Sequence, residues 1–210
     1  MRVIIINNAL NHELQFSQPI FNLVKEFLDG YMPDQAHEVD LVHWELVRRD
    51  MTDGVDAIIA SGSSQGDDPM ESHASKYIDD LQMHSLEVPF FGICTAFHLQ
   101  AHTRGAPLVH MERSETGLTS ITATVPGDPI FEGLLDENNT FQAEEMHNDS
   151  IDLPPDFNLL AMTERCPVQL IRHKNLPLFY ASQFHPEVHG STHGLLTNFI
   201  KMAQERRVHE

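Results

Sequence analysis

The 210-residue chain is 41% hydrophobic, enough for one good core, so a single domain over residues 1–210 is expected. Its 13 basic against 31 acidic residues give a net charge of −18 with histidine neutral, which argues against nucleic acid or an anionic membrane as partner and favours solubility. No apolar run of about 18 residues exists, the apolar N-terminal stretch is too short for a signal peptide, and two cysteines make no disulfide framework, so a reducing cytoplasm fits best.

Residues 2–6 are a β-branched run, read as a first buried strand, with Asn7-Asn8 as its turn. Ser17 is expected to cap a helix with Pro19 in its first turn. Ile20, Leu23, Val24, Phe27 and Leu28 form its apolar stripe, and Asp29-Gly30 its stop. Residues 37–44 alternate loosely as a second strand. Residues 55–60 read as a third, running straight into Ser61-Gly62-Ser63-Ser64. Residues 69–86 suit a polar amphipathic helix with Met70, Ala74, Tyr77, Ile78 and Leu81 on one side. Residues 88–93 form a fourth strand, and Thr95 to Ala101 suit a helix. The alternation predicts an α/β fold with a mostly parallel sheet covered on both faces, whose site lies beyond the carboxyl ends of the strands. Gly62 and Cys94 both occupy such ends. After Gly105, residues 107–111, 118–125, 158–162, 168–173 and 178–184 read as short strands. They are expected to form a small antiparallel addition at one edge plus a strand returning to the main sheet, before a closing helix at 195–206.

Cys94, between a strand end and a helix start, faces backbone N–H donors and a partial positive charge that favour a thiolate. The serine version of this turn is the nucleophile elbow of the α/β-hydrolases. A packed structural thiol is the other reading of a lone cysteine. Gln183-Phe184-His185-Pro186-Glu187-Val188 follows an apolar run, so His185 also belongs at a strand end. In an extended segment His185 and Glu187 share one side, so the carboxylate can orient the imidazole toward a thiol. A surface His–Glu pair is the alternative.

Taken together, the motifs resemble the class I (triad) glutamine amidotransferases. The cysteine elbow G-I-C-x-G-x-Q is matched by Gly92-Ile93-Cys94-Thr95-Ala96-Phe97-His98, and Q-F-H-P-E is matched without change at Gln183 to Glu187. Glu115-Thr116-Gly117, Asp128-Pro129-Ile130-Phe131-Glu132-Gly133-Leu134, Met146-His147-Asn148-Asp149 and Cys166-Pro167 resemble intervening segments in the expected order. The second half is similar to the amidotransferase part of GMP synthases. The resemblance implies a flavodoxin-like sheet and hydrolysis of glutamine. Cys94 would attack the side-chain amide, His185 would protonate the departing ammonia and activate water, and Glu187 would orient His185. Backbone N–H groups of Thr95 and of the Gly62 loop would hold the oxyanion, and no cofactor is implied. Ammonia would pass to a separate synthase partner.

Three positions depart from the family pattern: Ala96 replaces the elbow glycine, His98 the substrate-fixing glutamine, and Ser61-Gly62-Ser63-Ser64 the S-G-G-P loop. They leave open a stand-alone hydrolase of γ-glutamyl amides or peptides, and a non-catalytic regulatory homologue. His147 and Asp149 are not read as a metal pair, since no H-E-x-x-H or C-x-x-C spacing accompanies them, and no metal is expected. The resemblance places the His147 region on the glutamine pocket or the synthase face; a solvated loop histidine is the alternative. Glu144-Glu145 reads as a solvated pair and Cys166 as a packed thiol. Ser61 to Asp68 lacks the lysine of a phosphate loop.

Overall fold

The computed structural model describes residues 1–64, 73, 76–77, 80–81, 86–176 and 178–209, with His209 described by its backbone only. The helix expected at 69–86 falls largely outside them, although Tyr77 and Leu81 of its apolar side are buried.

The strands are β1 (Arg2–Asn7), β2 (Glu38–His43), β3 (Ala57–Ala60), β4 (Phe90–Ile93), β5 (Leu108–Ala123), β6 (Thr140–Ile151), β7 (Phe157–Met162), β8 (Leu170–His173) and β9 (Phe179–Ser182). Among the described residues the α-helices are α1 (Ser17–Tyr31), α2 (Thr95–His102) and α3 (His193–His209). All nine strands join one sheet in the order β2-β1-β3-β4-β9-β8-β7-β5-β6. The half from β2 to β9 is parallel and the half from β9 to β6 antiparallel, so β9 is the returning strand. Successive side chains of a strand point to opposite faces. Val3, Ile5, Ile59 and Phe91 therefore pack on α1 and α3, while Ile4, Ile6, Ile58 and Phe90 pack on Trp44, Tyr77 and α2.

Several boundaries moved. Ser17 is not a cap: Phe16 holds that position, no side chain caps the helix, and the buried Ser17 Oγ has no partner among the described residues. Gly30 does not stop α1, which continues through Tyr31 until Met32 N–H donates to Leu28 O. The segments expected at 107–111 and 118–125 belong to one long strand, bent by a bulge between His110 and Glu115.

β6 was not foreseen. Its inward positions run Phe141, Ala143, Glu145, His147, so the apolar alternation that announces a strand breaks where charged groups turn inward. Glu145 is consequently not solvated but fully buried, and Glu144, its half-buried neighbour, accepts a hydrogen bond from His185 N–H at 2.9 Å through its carbonyl. His147 is a buried strand residue, not a solvated loop histidine.

Candidate active site

β1, β3, β4 and β9 end side by side, and the segments leaving them converge on one pocket. Cys94 leaves β4 with φ 49° and ψ −103°, a conformation a side-chain-bearing residue holds at a cost of about 1–3 kcal/mol. Cys94 N–H donates to Ser182 O at 2.8 Å, and Cys94 O accepts from His98 N–H at 2.9 Å, which ties the turn to β9 and starts α2. The helix then points its first N–H groups, Thr95 among them, toward the thiol's side of the turn. Ala96 fits because Gly92 has no side chain. A Cβ on Gly92 would stand 3.3 Å from the Ala96 methyl and 3.2 Å from its backbone.

His185 and Glu187 leave β9 on one side of an extended segment and meet: His185 Nδ1 lies 2.8 Å from Glu187 Oε1, with both side chains almost fully buried. His185 Nε2 makes no aligned hydrogen bond among the described residues, and Cys94 beside the ring acts on its charge. Burial opposes a charge on His185. The negative charges of Glu187 and the Cys94 thiolate, with their hydrogen bonds, outweigh it and hold the imidazole well above its ordinary value. Phe16, missed in the sequence because it reads as the residue before a helix, stacks on this ring at 4.7 Å between centroids and fixes its plane.

Gly62 closes the group from β3. A Cβ there would lie 2.8 Å from His185 Cε1 and 3.3 Å from Cys94 Cβ, so only glycine allows the loop this near. Asn8, at the end of β1, anchors the loop through Nδ2 donating to Ser61 O at 2.6 Å and its N–H donating to Ser61 Oγ. Gly62→Ala is expected to displace the imidazole and lower turnover of any Cys94-dependent reaction about 100-fold, at a stability cost of about 1–3 kcal/mol. Wild-type turnover in a folded Gly62→Ala protein would refute that dependence on close approach.

The pocket has a volume of about 270 Å³ and is lined by Phe16, Ser63, Cys94, Thr95, His98 and His147, among others. That is near the lower limit of small-molecule sites. Among the expected substrate contacts, His98 does not point at a ligand with Nε2. This nitrogen donates instead to Gln183 Oε1 at 2.7 Å, and Gln183 Nε2 in turn lies 3.9 Å from Cys94 Sγ. Gln183, the first residue of the histidine motif, was overlooked as a site residue because its neighbours drew the chemistry. His147 lines the pocket from β6. Its Nδ1 donates to Asp149 O at 2.8 Å, and its Nε2 lies 3.0 Å from Glu145 Oε2 and 3.2 Å from Glu115 Oε2. Burial pulls the His147 imidazole down, but the Glu145 contact and both carboxylate charges overcome it and raise it. Burial pushes the Glu145 carboxyl up. Asp149 meets His147 through its backbone carbonyl, not its carboxylate.

The family model described as glutamine amidotransferase class-I matches residues 22–203. A glutamine-hydrolyzing GMP synthase subunit from Thermoplasma volcanium is 36% identical over 176 residues, covering 81% of this chain and 82% of that protein. A crystal structure from Thermoplasma acidophilum, provisionally described as a GMP synthase subunit, superposes with a TM-score of 0.82 at 26% identity, covering 99% of this chain and 96% of that one. A Thermotoga maritima glutamine amidotransferase shares the fold, with a TM-score of 0.70 at 17% identity over 100% of this chain and 99% of that one.

Proposed function

The chain belongs to the glutamine amidotransferase class-I family, and on that basis we propose that residues 1–210 act as one glutaminase unit passing ammonia to a separate synthase. The observation that carries this reading is the buried Cys94–His185–Glu187 group facing a pocket of amino-acid size. Cys94 attacks the side-chain amide carbon of glutamine. The oxyanion that develops lies against the N–H groups of Thr95 and the Gly62 loop. His185 gives its proton to the leaving nitrogen, ammonia departs, and a γ-glutamyl thioester remains on Cys94. Water, deprotonated by His185, then releases glutamate and restores the thiol. Glu187 holds Nδ1–H in place and balances the imidazolium.

The similarity to glutamine-hydrolyzing GMP synthase subunits supports a synthase of that kind as the acceptor of ammonia. Among the described residues no helix is long and apolar enough to cross a membrane, and both cysteines are free, which supports the reducing cytoplasm as compartment. The test is glutamate release from glutamine with and without a candidate synthase, the intermediate being trapped and weighed as the intact protein. A γ-glutamyl adduct on Cys94 is the expected result, and its absence from an active protein would sink the assignment.

One observation favours a second reading, hydrolysis of γ-glutamyl amides or peptides: His98 engages Gln183, where the family pattern has a residue that helps fix glutamine. Faster turnover of γ-glutamyl conjugates than of glutamine, without partner, would select it. In either reading His98 acts by orienting Gln183. His98→Ala removes the donor to a buried carbonyl, which costs about 1–3 kcal/mol, and is expected to lower kcat about tenfold. His98→Gln, which can donate to the same oxygen, should restore most of it; equal losses in both variants would show that His98 does not work through Gln183.

A further inference from the structure

We propose that Glu115, Glu145, His147 and Cys166 form a binding site for one divalent transition-metal ion of the zinc class. Three of the donors follow from strand register. Glu115 on β5 sits directly opposite His147 on β6, and Glu145 lies two residues before His147 on the same inward face. Cys166 comes in from the connection between β7 and β8. The four residues are 3%, 0%, 6% and 0% exposed.

The donor set suits a cation. Asp149 O can only accept, so His147 Nδ1 carries the proton it shares with that carbonyl. Nε2 faces two carboxylates, which can share its second proton or, in its place, a metal ion. At 3.0 and 3.2 Å these are close charge contacts, yet Nε2 and both Glu145 oxygens make no aligned hydrogen bond among the described residues. A divalent ion that displaces that proton would take Nε2 and the carboxylate oxygens as ligands. The Glu115, His147 and Cys166 donor atoms all lie within 4.8 Å of one another. Donors around a tetrahedral zinc are separated by roughly 3.3–3.5 Å, so closure draws these donors inward, the Cys166 thiol leaving its contact with Val168 O. Outer contacts of the usual kind are present: Asp149 O on His147, and Gln169 Nε2 and Thr163 Oγ1 on Glu115. Imidazole and thiol beside two carboxylates select zinc or cobalt over magnesium or calcium. Spacing conceals the site, because its donors span residues 115 to 166 with no paired motif. The ion would brace the His147-Asn148-Asp149 wall of the Cys94 pocket.

Protein stripped of metal is titrated with Co²⁺ and then Zn²⁺. One equivalent of Co²⁺ should bind with a thiolate-to-cobalt charge-transfer band, and Zn²⁺ should displace it and raise the melting temperature. Cys166→Ser should remove that band, and Glu145→Gln should weaken binding at least about tenfold. No binding at micromolar Co²⁺ overturns the proposal. So does unchanged binding in both variants, which would assign the ion to other donors such as the His12, His43 and Glu45 group. Should Glu145→Gln fail to fold, Cys166→Ser, a one-atom change, decides by the band alone.

Discussion

Cys94→Ala is expected to lower glutamine hydrolysis on the order of 10⁴-fold or more while the fold persists, measured as glutamate release alongside a thermal melt. Without the sulfur no thioester forms, and the oxyanion donors and pocket supply only the residual rate. The structural loss is small, because one atom leaves a residue already at the edge of the core. A second substitution separates chemistry from strain. Cys94 holds φ 49° and ψ −103°, and a residue with a side chain pays about 1–3 kcal/mol there. Glycine adopts this backbone freely but loses about 0.5–1 kcal/mol of chain entropy on folding. Cys94→Gly should therefore be as inactive as Cys94→Ala yet melt a few degrees higher. Hydrolysis retained in Cys94→Ala removes Cys94 as nucleophile; equal melting of the two variants removes the strain.

Glu187→Gln is expected to cost about 10²–10⁴-fold in kcat with little change in KM. The amide can still approach His185 Nδ1, so geometry alone does not predict the loss. The charge does. Burial disfavours the imidazolium, and the Glu187 carboxylate is the largest influence that raises His185 against it. With that charge removed, the pKa of His185 falls, and less imidazolium stands beside Cys94 at neutral pH. Alkylation of Cys94 by iodoacetamide should slow accordingly near pH 7. An unchanged alkylation profile in Glu187→Gln would show that the carboxylate only orients the ring.

The parallel half of the molecule was legible because burial on both faces writes its strands as continuous apolar runs. Residues 55–60 and 88–93 announced β3 and β4 to within two residues at the start and at the correct end. Those ends are what matter, since Gly62 and Cys94 follow them directly. β6 was hidden for the opposite reason: Glu145 and His147 occupy inward positions that hydrophobic patterning assigns to apolar residues. The same break that hid the strand marks the buried charge cluster. Ser17 shows the weaker reach of local signals, for a helix-capping residue type stands one place inside the helix and caps nothing.

By itself the sequence determined the alternation of strands and helices in the parallel half, the elbow at Cys94 and the His185–Glu187 pair. Each depends on periodicity or spacing within a few residues. Only the tertiary structure decided what meets across the sheet. It set Gly62 against the His185 ring, Phe16 over that ring, His98 on Gln183, and Glu115, His147 and Cys166 in one buried cluster with Glu145 against His147. The longest of these contacts joins residues about 170 positions apart. Their distances follow from strand register and sheet twist, which act through space and leave no period in the chain.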